Sequence, residues 1–113
     1  MINYEDFSKI ELRVAKILEA VRVEGSDKLV KMQLDAGDKN EAGEPVKRQI
    51  LGGIGKYYEP EQLIGMEIVI VANLESRKLM GEESNGMLLA ASDEVRISIL
   101  VPQKEVLPGS GIK

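Results

Sequence analysis

The sequence contains no cysteine, no histidine and no tryptophan. These absences exclude disulfide bonds, thiolate nucleophiles and histidine bases, and they deprive a zinc ion of its usual sulfur and nitrogen ligands. The carboxylates also lack the spacing of a calcium-binding loop. We therefore expect a protein that folds without a metal ion and carries no cofactor.

Aromatic residues are scarce, at 4% of the chain, and comprise Tyr4, Phe7, Tyr57 and Tyr58. The core must therefore be built from aliphatic side chains, and a hydrophobic content of 43% is enough to build one. A nucleic-acid binder that stacks bases on an aromatic platform normally carries more rings than this. The composition thus argues against that mode of binding.

Long hydrophobic runs are also missing, since the longest, Ile68 to Ala72, is far too short to span a membrane. The N-terminal residues lack the basic and apolar regions of a signal peptide. We therefore expect a cytoplasmic protein that makes no use of a membrane.

The charge balance is acidic, with 15 basic and 19 acidic residues and a net charge of −4. Tight, non-specific binding of phosphate usually requires a basic domain, so the balance argues against it. An acidic charge balance is still compatible with a small basic patch on the surface. Adjacent carboxylates such as Glu82 and Glu83 are typical of solvated turns, and no other catalytic group accompanies them. We therefore expect a protein that is not an enzyme.

The 113 residues are enough for one domain, 1–113, and too few for two. Pro60 indicates the start of a short helix that would plug a barrel with Leu63 and Ile64. A change of apolar phase in the first strand predicts a β-bulge near Ala15 and Lys16. Segments of alternating hydrophobicity between turn residues predict strands at 10–23, 30–36, 46–51, 67–74, 87–92 and 95–101. Five or six strands with one helix between the third and fourth follow the order of an OB-fold, an all-β barrel.

A few polar residues are candidates for binding phosphate or nucleotides. Arg77 and Lys78, together with Lys28 and Arg13, are the candidate phosphate patch, because loops at the mouth of such barrels bind oligonucleotides. The alternative is an ordinary solvated loop with surface ion pairs.

Hydrogen-bonding side chains lie close to this patch in the sequence. Asn73, Ser84 and Asn85 could bind nucleotide edges, sugars or phosphates, or could simply stabilise a turn. Met87 could contact a splayed base through its adaptable thioether, or it could belong to the core.

Several separated motifs, in order along nearly the whole chain, resemble the tRNA-binding domain of methionyl-tRNA synthetase type. The most specific of them is the segment Ser84–Ala91, SNGMLLAA. The others are Asp6–Phe7, Leu12–Ile17, Ser26–Leu29, Tyr58–Gly65, Asn73–Leu74, Arg77–Leu79, Pro102, Lys104–Val106 and Pro108–Gly109.

This resemblance implies an OB-fold with a C-terminal extension that serves dimerisation. It also implies a non-catalytic, homodimeric domain that binds tRNA by shape and phosphate contacts, and that assists aminoacylation beside a methionyl-tRNA synthetase catalytic domain. Phosphate contacts would come from Arg77, Lys78, Lys28 and Arg13, and contacts to sugar or base from Asn73, Ser84 and Met87.

The sequence departs from the family pattern near these positions. Glu24-Gly25 stands where the family usually has His-Pro, Glu75-Ser76 where it often has Lys and Pro, and Met80 where Arg is common. With two cations missing and Glu82 and Glu83 close by, we expect weak tRNA binding. Two alternatives stay open, namely a homodimeric chaperone of the secretion-associated branch and a dimerisation module that has lost RNA binding.

Overall fold

The computed structural model describes residues 1–113, of which only 8% are helical. No helix in it is long and apolar enough to cross a bilayer. Along the chain the elements are α1 (Tyr4–Ser8), β1 (Leu12–Arg22), β2 (Val30–Asp35), β3 (Arg48–Gly52), α2 (Pro60–Leu63), β4 (Glu67–Val71), β5 (Arg77–Leu79), β6 (Glu82–Ser84), β7 (Met87–Leu88), β8 (Ala90–Ser92), β9 (Ile97–Ile99) and β10 (Gly111–Ile112).

The main sheet is antiparallel, has the strand order β3-β2-β1-β4-β7, and curls into a nearly closed barrel of five strands. The last strand, β10, pairs with the beginning of β1. The two ends of the sheet meet where the main-chain N–H of Asn85 donates to the carbonyl oxygen of Gln49 at 2.8 Å. Strands β5–β6 and β8–β9 form separate hairpins. This confirms the predicted all-β barrel of the OB type.

The core is aliphatic, as the composition predicts. In β2 the side chains of Val30, Met32 and Leu34 are completely buried and alternate with partly exposed residues. Helix α2 begins at Pro60 and buries Leu63, which confirms part of the predicted plug. Ile64 is 52% exposed, so its predicted role in the plug is wrong. The helix ends at Leu63. The backbone of Ile64 is extended, so its side chain does not follow that of Leu63 into the barrel.

The bulge in β1 lies further along the strand than its predicted position near Ala15 and Lys16. The register between β1 and β2 shifts between Ile17 and Glu19. Val14 and Ala15 point to opposite faces of the strand, and both are buried. Ala15 belongs to the core cluster, whereas Val14 lies outside it, and its backbone N–H and C=O bond to the C-terminal segment.

Strand boundaries differ from the predicted ones mainly in the second half of the chain. The strand predicted at 67–74 ends at Val71, and the strand predicted at 95–101 is reduced to β9, which ends at Ile99. Val95 and Val101 are 71% and 51% exposed. The predicted fifth strand is interrupted at Leu89. The β5–β6 hairpin was not predicted, because its residues are mostly charged and show no apolar alternation.

Candidate nucleic-acid interface

The β5–β6 hairpin carries two of the predicted phosphate contacts, Arg77 and Lys78. Both side chains are exposed. Arg77 lies opposite Ser84 and Lys78 opposite Glu83, so the two cations project from opposite faces of the hairpin. They would therefore contact different phosphates.

Two residues with positive φ close the hairpin, Met80 at 54° and Gly81 at 81°. A two-residue turn with positive φ at both positions matches the right-handed twist of the flanking strands. Glycine adopts this conformation freely, whereas a side chain such as that of Met80 adopts it at some cost. The turn fixes the register in which Arg77 and Lys78 are presented.

Polar groups of β3 hold the hairpin against the barrel. The buried hydroxyl of Ser84 accepts the backbone N–H of Leu51 at 3.0 Å, and the side-chain amide of Gln49 donates to the carbonyl oxygen of Glu83 at 2.7 Å. Each hydrogen bond satisfies a polar group where β3 meets the hairpin, so the hairpin is held in one position relative to β3.

Lys28, the third predicted phosphate contact, lies in the turn between β1 and β2. The hydroxyl of Ser26 accepts the backbone N–H groups of Lys28 and Leu29 at 3.3 and 3.0 Å, which shapes this turn. A β-carbon placed on Gly25 would lie 3.2 Å from the Cε atom of Met80. The turn that carries Lys28 therefore lies close to the tip of the β5–β6 hairpin that carries Arg77 and Lys78.

A shallow hollow lies at the base of the same hairpin. Its lining combines one guanidinium group and one carboxylate with two apolar side chains, and its residues are Leu74, Glu75, Arg77, Gly86 and Met87. Met87 is 44% and Leu74 48% exposed. The structure thus brings Arg77 and Met87 together at one site, as required if one binds a phosphate and the other contacts the attached sugar or base.

Arg13, Asn73 and Ser84 have internal partners. The Asn73 side chain accepts the N–H of Glu11 at 2.8 Å and donates to the carbonyl oxygen of Lys9 at 2.7 Å, which fixes the segment after α1. The Ser84 side chain is 2% exposed. The polar atoms of Asn73 and Ser84 therefore stabilise the local structure through internal hydrogen bonds. Lys28, Arg77 and Lys78 differ, since none of them forms an ion pair.

Arg13 belongs to a charged cluster at one end of the barrel. Its guanidinium group donates to Asp38 at 2.9 Å, and Arg48 donates to the same carboxylate at 2.8 and 3.0 Å. The hydrogen bond from Arg48 outweighs the desolvation of the carboxyl group and, together with Arg13, holds the pKa of Asp38 below its ordinary value of 3.8. The cluster ties the loop after β2 to the barrel.

Sequence reasoning missed Arg48, which also donates to the carbonyl oxygens of Ala72 at 2.7 Å and Asn85 at 3.1 Å. It thereby holds together the chain segments that lead into β5 and β7. A signal was available, because Arg48 shares the inward phase of Ile50 in β3, and a charged residue on an apolar phase needs internal partners.

A family model described as "Putative tRNA binding domain" matches residues 12–111. The chain belongs to this family. The methionine–tRNA ligase of Caldanaerobacter subterraneus subsp. tengcongensis is 58% identical over 111 residues, which make up 98% of this chain and 16% of the ligase. The ligase of Methanothrix thermoacetophila is 46% identical over 113 residues, which make up 100% of this chain and 16% of that protein. The match is to the C-terminal region of such ligases.

Solved structures share the complete fold. A protein from Pyrococcus horikoshii described as related to MetRS superimposes with a TM-score of 0.88 at 28% identity, covering 100% of this chain and 98% of the other. The chaperone CsaA of Bacillus anthracis gives 0.84 at 29% identity, with 100% and 99% covered. The fold and family of the chain are thus shown.

Proposed function

We propose that the chain is a non-catalytic tRNA-binding domain whose interface is the β5–β6 hairpin with the adjoining β1–β2 turn. One observation carries the proposal: in a chain of net charge −4, Lys28 lies in a turn beside the hairpin that carries Arg77 and Lys78, and none of the three forms an ion pair. Free cations gain most from phosphate, because no carboxylate partner has to be displaced.

The hollow beside Arg77 supports contacts beyond phosphate. Met87 and Leu74 offer exposed apolar surface on which a sugar or an unstacked base can rest. Glu75 lines the same hollow, and Glu83 lies opposite Lys78 in the hairpin. These carboxylates repel phosphate, so binding is weak and falls steeply with salt.

A titration with unfractionated tRNA at low and physiological salt tests the proposal. If about two to four phosphates are contacted, log K against log salt falls with a slope of roughly −0.9 per contact. Arg77→Ala should weaken binding to all tRNAs alike and flatten the slope by about one unit.

Arg96→Ala is the matched control, because it removes the same charge from the β8–β9 hairpin, where Arg96 is paired with Asp93. This variant should leave the slope unchanged. An absence of binding at low salt, or equal effects of the two substitutions, would contradict the proposed interface.

We also propose that the domain raises the local concentration of tRNA at a methionine–tRNA ligase in the cytoplasm. The ligases that the chain resembles are much longer, since it spans 16% of their length. Even weak binding by a linked domain raises the effective concentration of tRNA at the catalytic domain. Deletion of the matching region from such a ligase should raise the KM for tRNA and leave kcat unchanged; a loss confined to kcat would contradict this role.

Homodimerisation is the third part of the proposal. The C-terminal half exposes apolar side chains, among them Val95 at 71%, Val101 at 51% and Leu107 at 80%. A two-fold contact would cover the same patch on both copies.

The same exposed surface favours a second candidate function, a chaperone like the CsaA protein that shares the fold. Suppression of aggregation of an unfolded protein, without any binding of tRNA at low salt, would favour that function over tRNA binding.

A further inference from the structure

An ion pair crosses from β2 to the β5–β6 hairpin, beside the proposed interface. The ammonium group of Lys31 lies 3.2 Å from a carboxylate oxygen of Glu82. The two side chains are 28% and 37% exposed. The pair is therefore accessible to a ligand in solution.

Glu82 is held in place by the hairpin to which it belongs. It lies opposite Leu79 in the register, just after the turn at Met80 and Gly81. Two residues on, Ser84 is fixed to β3. Because the hairpin cannot move freely, its carboxylate stays beside β2.

Lys31 has no other hydrogen-bond acceptor than Glu82. On the outer face of the same strand, Gln33 donates to Gln49 at 2.8 Å, and Gln49 in turn bonds the hairpin backbone at Glu83. Neutral amides thus connect Gln33, two residues from Lys31 in β2, to the hairpin that presents Arg77. Because Glu82 belongs to this hairpin, a polyanion bound along the hairpin would come close to the ion pair.

We propose that Glu82 limits the affinity for RNA by occupying Lys31, which is a latent phosphate contact. This inference rests on the proposed tRNA interface and names a residue that sets its strength. A phosphate must displace the carboxylate to reach Lys31, and the carboxylate itself repels the RNA backbone. Exposed ion pairs are weak in water, so removal of the carboxylate frees the cation without disturbing the fold.

The test is the isosteric substitution Glu82→Gln, measured by titration with unfractionated tRNA. We expect the affinity at low salt to rise about threefold to tenfold, and the slope of log K against log salt to steepen by about one unit as Lys31 gains a phosphate. Glu83→Gln is the matched control, because it removes the same charge from the next residue, which has no ion-pair partner. Its effect should be smaller and should leave the slope unchanged.

A double-mutant cycle assigns the effect to Lys31. Lys31→Gln should hardly change binding in the wild-type background, and it should abolish the gain in the Glu82→Gln background. Equal gains from Glu82→Gln and Glu83→Gln, or a large loss from Lys31→Gln alone, would overturn the inference. Failure of the proposed interface itself is distinguishable, because wild-type binding would then be absent or insensitive to Arg77→Ala.

Discussion

Gly25 in the β1–β2 turn and Met80 at the tip of the β5–β6 hairpin are close neighbours, although they are 55 residues apart in sequence. A β-carbon at Gly25 would come within 3.2 Å of that atom. This close approach sets the distance between the turn that carries Lys28 and the hairpin that carries Arg77. Met80 makes this approach although it is 58% exposed and has a φ of 54°.

Met80→Arg should tighten tRNA binding and steepen its salt dependence by about one unit, because it adds a cation between Lys28 and Arg77. The substitution should not affect folding, since both residues are unbranched and meet the same positive φ. Met80→Gln is the uncharged control and should leave the salt slope unchanged. Tightening by both variants alike would show that charge is not the cause.

Ser84→Ala should lower the free energy of unfolding by about 1–3 kcal/mol, because the buried N–H of Leu51 loses its acceptor. Urea unfolding measures this change. Ser76→Ala, at an exposed position with no hydrogen-bond partner, is the control and should cost little. A stable Ser84→Ala protein with weakened tRNA binding and an unchanged salt slope would instead indicate direct contact with RNA.

Asp38→Asn should destabilise the protein at pH 7 by about 1–3 kcal/mol, because Arg13 and Arg48 lose a shared carboxylate. Since folding lowers the pKa of Asp38, its contribution is complete above the ordinary value of 3.8 and is lost as the pH falls through the lower value in the folded protein. The difference between variant and wild type in urea unfolding should therefore shrink below pH 3.8. Glu41→Gln in the same loop should show no such difference at any pH.

Leu107→Lys should convert a dimer to a monomer, because a charge would be buried at the proposed two-fold contact. Light scattering at micromolar concentration should give twice 12.4 kDa for the wild type and 12.4 kDa for the variant. Val21→Lys, at another exposed apolar position, should remain a dimer. A monomeric wild type would refute the proposed dimer.

Sequence alone predicts those parts of the barrel in which one face of a strand is packed and the other is exposed. In β2 this arrangement produces the alternation that identified Val30, Met32 and Leu34 as inward residues. It fails for β1, where the adjacent residues Val14 and Ala15 are both buried and the backbone of Val14 bonds to a segment from the other end of the chain. A contact between distant segments leaves no local pattern to read.

In the candidate site, too, contacts between distant segments could not be predicted from the sequence. Lys28, Arg77 and Lys78 were identifiable as cations at turns, and the structure places the turn of Lys28 beside the hairpin of Arg77 and Lys78. The internal partners of Arg13, Asn73 and Ser84 could not be inferred, because a polar side chain has the same sequence signature whether it bonds a ligand or the backbone. The pairing of Lys31 with Glu82 likewise depends on where the hairpin docks.

The pairing of Leu12 with Ile112 brings nearly opposite ends of the chain into one sheet. Of all the strand pairs it joins residues that are furthest apart in sequence, and such pairings are slow to form because a long loop must close first. During synthesis, the outer edge of β1 near Arg13 stays open until Gly111 has left the ribosome. In that interval an unpaired strand edge can recruit other extended chains, so completion of the domain and protection from aggregation depend on its last few residues.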